Sequence, residues 1–229
     1  MTKRADDAMF RDRRDAGRAL AQALSKYKDD PAVIVVALPR GGVVIGYEIS
    51  LALHLPLDVL VVRKLGTPVN PELAMGALAE TGYRYLNEDV IRTYGVTVEQ
   101  LDAEVRRQER EILRRSDKYR GGRRLPPLKG NTVLVVDDGI ATGATLYAAL
   151  AALRQAEAAR LVVAVPVAPP DAARDLRAKV DEVVILQTPA WFFGISQFYE
   201  RFPQVEDEEV IACLETVREA LSRGNTSAG

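Results

Sequence analysis

The residues best suited to chemistry stand in one string, Val133 to Thr145, which reads VLVVDDGIATGAT. Val133 to Val136 are apolar and mostly β-branched, the composition of a strand buried on both faces of a parallel sheet. Asp137 and Asp138 then fall at the carboxyl end of that strand, where open α/β sheets bind their ligands. Adjacent carboxylates there accept hydrogen bonds from vicinal hydroxyls such as those of a ribose. Gly139 and Gly143 permit a tight turn and a close approach to a ligand, while Thr142 and Thr145 bring hydroxyls to the start of the next helix. Free amides and the positive dipole end at that helix start make an anion site. The chemistry implied is recognition of a sugar phosphate. Two rival phosphate fingerprints do not fit: the loop lacks the lysine of GxxxxGK[ST], and Gly41 to Gly46 reads GGVVIG rather than GxGxxG.

A second constellation, Leu38-Pro39-Arg40-Gly41-Gly42, lies between a strand and a helix. Its glycine amides and its guanidinium converge on the same sheet edge as Asp137 and suit a pyrophosphate. A second strand ends in Arg63-Lys64, at the carboxyl edge if the sheet is parallel, where two cations neutralise diphosphate charge; alternation from Val62 points Lys64 inward. The third cluster is aromatic: residues 191–202, WFFGISQFYERF, hold the sole tryptophan and four of the five phenylalanines. Rings of this kind pack a core or stack on a planar base. His54 near a helix end and Cys213 on an amphipathic helix read as ordinary structural residues, and Glu72 and Glu80 as solvated loop acids.

Positioning these residues requires alternating strands and helices. Strands are expected at Ala32 to Leu38, Asp58 to Arg63, Thr132 to Asp137, Leu161 to Val165 and Glu182 to Gln187, with helices at Val43 to Leu53, Thr142 to Ala156 and from Pro169 or Pro170 to about Lys179. That order predicts an α/β fold with a parallel sheet and right-handed crossovers. An N-terminal helix from about Asp7 to Tyr27 is expected to be capped by Asp6 or Asp7, and a C-terminal helix from about Asp207 buries Val210, Leu214, Val217 and Leu221. Residues 225–229 are expected to be disordered. Between the second and third strands the pattern changes. Leu73 to Ala79 and Tyr83 to Leu86 flank Glu80-Thr81-Gly82 as a hairpin, Asn87 caps a short helix ending at Gly95, and Glu99 to Tyr119 is a charged helix with a thin stripe of Leu101, Val105 and Ile112. Its mixed charges predict a solvated face.

The 229 residues suffice for one compact domain, and the net charge of −1 supplies no overall pull toward nucleic acid or an anionic membrane. With Cys213 alone no intrachain disulfide forms, which is compatible with the cytoplasmic location expected here. The N-terminus has no apolar h-region, so no signal peptide is expected, and the apolar runs are too short and interrupted to span a bilayer.

DDGIATGAT resembles the phosphoribosyl pyrophosphate signature of the type I phosphoribosyltransferases, and the resemblance covers about residues 32–187. It implies a single domain, 1–229: a five-stranded parallel Rossmann-like sheet flanked by helices, a flexible loop or hairpin insertion at about 64–130, and a small hood with the C-terminal helix at about 188–223. The implied reaction is transfer of ribose 5-phosphate from phosphoribosyl pyrophosphate to a nucleobase or other nitrogen nucleophile, with release of pyrophosphate. Gly139, Ile140 and Ala141 would then bind substrate, Thr142, Gly143, Ala144 and Thr145 would grip the 5-phosphate, and Asp137 and Asp138 the ribose hydroxyls. Arg40, Gly41, Gly42, Arg63, Lys64 and a magnesium ion would meet the diphosphate, the ion being held mainly by substrate oxygens and water rather than by a protein cage. Trp191, Phe192 and Phe193 would form the hood over the acceptor. Members acting on 6-oxopurines typically carry aspartate where this chain has Ala141, a departure that puts hypoxanthine or guanine in doubt. The implied partners are two small molecules, and a homodimer by family habit. Two alternatives stay open: a regulatory protein of the same fold that senses phosphoribosyl pyrophosphate or a nucleotide without turnover, and a nucleotide or phosphosugar enzyme of another α/β family.

Overall fold

A computed structural model describes residues 9–141 and 143–226, with side chains to residue 223. Five strands form one wholly parallel sheet: β1 (Val33–Ala37), β2 (Leu57–Val59), β6 (Thr132–Val136), β7 (Arg160–Val167) and β8 (Glu182–Gln187), in the order β2-β1-β6-β7-β8. β6 lies in the middle, with Val35 opposite Leu134 on one side and Val163 opposite Val135 on the other. Strand residues point alternately to the two faces, and both faces are covered. Val35, Ala37, Leu134 and Val136 join the core beneath α1 (Arg13–Ala23), α2 (Gly41–Leu53) and α7 (Asp207–Thr226). Ile34, Val36, Val133 and Val135 join a second core beneath α5 (Ala144–Gln155) and α6 (Pro170–Arg177). Each buried Leu or Ile contributes roughly 1.5–3 kcal/mol, so the apolar run of β6 stabilises both layers at once. The chain winds outward in one direction from β1 and in the other from β6, which puts the topological switch point, and hence the expected ligand crevice, between their carboxyl ends.

The expected second strand is two strands. β2 ends at Val59, and β3 (Val62–Gly66) belongs to a separate antiparallel sheet with β4 (Ala74–Ala79) and β5 (Arg84–Leu86). Arg63 and Lys64 are therefore not at the edge of the parallel sheet. The expected hairpin around Glu80 is the β4–β5 connection, and Asn87 caps α3 (Glu88–Thr93) by accepting from the Val90 amide. The charged helix is α4 (Val98–Arg120), closed at its start by a Thr97–Gln100 capping box. Its face is less solvated than its composition suggests. Gln108 and Arg120 are buried with Val105, Ile112 and Tyr119. Arg120 reaches Asp58 at 2.6 Å, both carboxylate oxygens of Glu80 and the carbonyl of Val59, which ties α4 to the end of β2 and the end of β4. Glu80 also accepts from the Val61 amide and the Ser116 hydroxyl, so this turn acid is a structural one and not a solvated one.

The N-terminal helix is shorter than expected. Asp12, not Asp6 or Asp7, caps α1 by accepting from the Asp15 amide at 3.0 Å, and a 3₁₀ turn (Ser25–Tyr27) follows the helix; Asp6 and Asp7 lie outside the described residues. Asn225 and Thr226 continue α7, while 227–229 lie outside the described residues. Cys213 is buried on α7, and burial pushes its thiol up to about 11. His54 ends α2 in a left-handed conformation and meets Asp29 at 2.7 Å. Among the described residues no helix is long and apolar enough to cross a membrane.

Candidate active site at the carboxyl edge of the sheet

Asp137 and Asp138 leave the end of β6 and run directly against the first turn of α2. The approach is so close that a Cβ on Gly41 would stand 1.8 Å from an Asp138 carboxylate oxygen, and one on Gly42 would stand 2.7 Å from the Val136 carbonyl oxygen. The glycine pair is thus required by the acidic pair itself as well as by any ligand. The Asp138 amide donates to an Asp137 carboxylate oxygen at 2.8 Å, and among the described residues the other Asp137 oxygen has no partner. Burial, and then the charge of Asp138, hold the Asp137 carboxyl well above the usual carboxylate range. Burial also raises Asp138, against the pull of Arg13.

The glycine loop follows. Gly139 has φ +156° and would bring a Cβ within 2.7 Å of the Ile195 side chain. Gly143 is left-handed at φ +73°, caps α5, and has the Tyr147 ring against it. Ile140 borders the small cavity, but its side chain packs into the core beneath α5 and its amide donates to the Val167 carbonyl, which ties the loop to β7. Ala141, Ala144 and Thr145 are exposed at the mouth, whereas Thr142 lies outside the described residues. A cavity of about 160 Å³ lies between this loop, Asp137 and Ile195. Its floor is the end of β6 and its far wall the amino end of α5, so one carboxylate and one helix N-terminus face the same small space.

The other expected residues divide. Arg40 sits at the start of α2, after a cis Pro39–Arg40 peptide, and its guanidinium is turned to Glu206 at 3.3 Å and Asp207 at 3.9 Å. Lys64 lies on β3, paired with Glu72 at 2.6 Å, in the wall of a larger cavity of about 790 Å³ between the antiparallel sheet and α5. Ala144 and Thr145 border both cavities, so Lys64 stays near the helix start although it is not on the edge where the sequence put it. Arg63 does not join the site. It points to the other side of β3, donates to Gln108 at 3.0 Å, and burial followed by the charge of Arg115 lowers its pKa. Phe192 stacks on Phe198 at 5.4 Å and is packing, but Trp191 and Phe193 are exposed on a loop whose backbone is pinned to the Gln197 side chain.

Three site residues escaped the sequence reading. Arg13 on α1 donates from Nε to Asp138 at 2.7 Å and from Nη1 to the Pro203 carbonyl at 2.6 Å, with its guanidinium 3.7 Å above the centre of the Phe202 ring. The Tyr199 hydroxyl donates to the Asp138 carbonyl at 2.7 Å and is kept protonated by burial. Ile195 packs against Gly139 and lines the small cavity. Arg13 stands in RDRRD, where no spacing separates it from its exposed neighbours.

Residues 10–202 match the phosphoribosyl transferase domain family. Two Mycobacterium tuberculosis proteins, from strains CDC 1551 / Oshkosh and H37Rv, are each 48% identical to this chain over 207 residues, 90% of its length, and both are described only provisionally as phosphoribosyl transferases. The chain spans about half of their length, 46%. The crystal structure of TT1426 from Thermus thermophilus is 43% identical and superposes with a TM-score of 0.77, covering 90% of this chain and 97% of that one. Nearly the whole described fold, acidic pair and glycine loop included, falls within these matches, and the chain belongs to the phosphoribosyl transferase domain family.

Proposed function

We propose that the chain transfers ribose 5-phosphate from phosphoribosyl pyrophosphate to a nitrogen nucleophile. The observation that carries this reading is the convergence of the Asp137 carboxylate and the α5 amino end on one pocket at the topological switch point. In the reaction the bond from ribose C1 to the diphosphate oxygen breaks and its electron pair leaves with pyrophosphate. A C1–N bond forms, and the nucleophile gives up a proton. Positive charge develops on the ribose ring, so a fixed carboxylate nearby stabilises the transition state more than the ground state. The α5 amides hold the 5-phosphate, and Asp137, the member of the acidic pair that faces the pocket, holds the ribose hydroxyls. Arg40, next to Gly41 at the start of α2, would meet the departing diphosphate. Its contacts with Glu206 and Asp207 are partly solvated, and exposed pairs of this kind are worth roughly 0–1 kcal/mol, so an arriving diphosphate displaces them at little cost. Lys64 can serve the same anion only by leaving Glu72.

Among the described residues no group of three or more His, Cys, Asp or Glu side chains is arranged to hold a metal ion. Magnesium would come in on the diphosphate, held mainly by substrate oxygens and water. When bound, the ion would neutralise charge on the leaving diphosphate. Trp191 and Phe193 offer exposed rings for a planar acceptor, and Ala141 brings no carboxylate to it.

The test is a calorimetric titration of magnesium phosphoribosyl pyrophosphate into the protein, followed by pyrophosphate release with adenine and other nitrogen nucleophiles. Micromolar binding and base-dependent release are expected. Absence of binding would refute the proposal, and binding without release to any acceptor would favour a sensor.

A further inference from the structure

We infer that Arg13 is a positioning residue that divides the acidic pair, committing Asp138 to the protein and leaving Asp137 as the carboxylate that meets the ligand. The inference rests on the proposed function for the identity of that ligand. Its geometry is independent of it. The Arg13 and Asp138 side chains are only 9% and 13% exposed, and they meet at 2.7 Å. Arg13 cannot swing away freely, because the Pro203 carbonyl takes a second donor and the Phe202 ring lies against the guanidinium. Asp138 is equally confined. Its carboxylate occupies the space a Gly41 side chain would need, and its carbonyl takes the Tyr199 hydroxyl. The small cavity is lined by Asp137 and not, among the described residues, by Asp138.

The charges facing the pair show what the arrangement does. Arg13 comes from α1, Tyr199 is neutral, the α2 amino end supplies its dipole, and Arg40 beside it is turned to Glu206 and Asp207. Without Arg13 two adjacent, largely buried carboxylates would share one site, and like charges so placed cannot both ionise readily. Asp137 would then retain a proton to higher pH and would be a poorer acceptor for hydroxyls. Arg13 thus keeps the ligand-facing member of the pair ionisable while touching neither pocket.

The experiment is the magnesium phosphoribosyl pyrophosphate titration repeated from pH 5.5 to 8.5 on five proteins: wild type, Asp137→Asn, Arg13→Gln, Arg13→Lys, and Arg13→Gln combined with Asp138→Asn. Asp137→Asn and Arg13→Gln are each expected to weaken binding by about tenfold or more at pH 7, the loss of one charge-assisted hydrogen bond being worth roughly 1.5–3 kcal/mol. In Arg13→Gln the pH at which affinity is half-maximal should also move upward. Adding Asp138→Asn removes the uncompensated charge, so the double variant should recover most of the affinity and return the midpoint toward that of the wild type. Arg13→Lys keeps the charge and should bind better than Arg13→Gln. Equal binding by Arg13→Gln and wild type, a double variant no better than Arg13→Gln, or a lysine variant as weak as the glutamine one would each overturn the inference. Should Arg13→Gln not fold, Asp137→Asn against the double variant decides: the double variant must bind more tightly. If the wild type binds no phosphoribosyl pyrophosphate, the proposed function falls, and the pairing is then read from melting temperatures, where Asp138→Asn must partly restore what Arg13→Gln loses.

Discussion

Gly41→Ala separates the packing account of the acidic pair from simple helix propensity. Gly41 is the first residue of α2 and is not in the left-handed region, so alanine meets no backbone strain there. Propensity alone predicts a gain of up to about 1 kcal/mol. The geometry predicts the reverse. The new Cβ would stand 1.8 Å from the Asp138 oxygen, 2.6 Å from its Cγ and 2.9 Å from Arg13 Nε. Restoring ordinary contact of roughly 3.5 Å requires the carboxylate to retreat by well over 1 Å, which the Arg13 ion pair at 2.7 Å does not survive. Overpacking costs about 1–3 kcal/mol and breaking a buried pair about 3–5 kcal/mol. The two overlap, because the displaced carboxylate is the pair's own, and both side chains retain a little solvent. A loss near 3 kcal/mol is therefore expected, equivalent to a fall in Tm of roughly 6–12 °C for a domain of this size. Thermal unfolding followed by circular dichroism reads it directly. A Tm equal to or above that of the wild type would refute the close-approach account, and with it the reason this position is glycine. Gly122→Ala makes the contrast: φ is +78° but nothing lies within 4 Å, so only the left-handed backbone cost of roughly 1–2 kcal/mol is expected.

Arg120→Ala should cost about 3–5 kcal/mol in denaturant unfolding, since it leaves Asp58 and Glu80 buried without their shared cation; a change under 1 kcal/mol would show the network to be dispensable. Because the folded Asp137 carboxyl is held above its ordinary value of 3.8, it keeps its proton to higher pH, and hydroxyl donors bind the ionised form. Affinity for magnesium phosphoribosyl pyrophosphate should accordingly rise with pH above that value, while the carboxyl's own contribution to stability is greatest below it and is lost as pH climbs through the folded pKa; titrations showing affinity that falls across that range would contradict the assignment. The sole tryptophan, Trp191, is 79% exposed, so its emission should be that of a solvated indole and should shift to the blue when a planar acceptor stacks on it. Trp191→Ala should then weaken acceptor binding by roughly 1–3 kcal/mol, and an unaltered acceptor KM would remove the loop from the site.

What could be read in the sequence was whatever local composition encodes. The buried strands are apolar runs, and the loop after β6 is a glycine-rich turn between a strand and a helix, so Val133 to Thr145 disclosed both the centre of the sheet and the pocket above it. The split of the second strand could not be read the same way. Leu57 to Gly66 reads as one β-prone stretch, and Leu60 and Val61, where the chain passes from one sheet to the other, are as buried as strand residues. Only the antiparallel partner β4 shows that Lys64 belongs elsewhere. Arg120 was hidden for a related reason: within RRSDKYRGGRR its type matches its exposed neighbours, and only the fold selects it for burial against Asp58. Composition reports periodicity within an element, but a charge pair between elements leaves no periodic trace.

The same reasoning explains why the site draws on both ends of the chain. The Phe10 amide donates to the Phe198 carbonyl, the Glu200 amide to the Phe10 carbonyl and the Arg201 amide to the Arg11 carbonyl, at 2.8, 2.8 and 3.0 Å. This short parallel clasp sets the start of α1 beside Phe202 and Pro203, and Arg13 then has one place to go, across the Phe202 ring to Asp138. Tyr199 and Ile195 come from the same return segment and fix the Asp138 carbonyl and the loop glycine. Loosening the clasp at either end therefore disturbs the acidic pair without touching β6. The match to the family begins at residue 10 and ends at residue 202, the two arms of the clasp. The β6 strand and its loop supply the acidic pair and the glycine turn, and the clasp supplies the Arg13 counterion of Asp138, so neither part makes this arrangement alone.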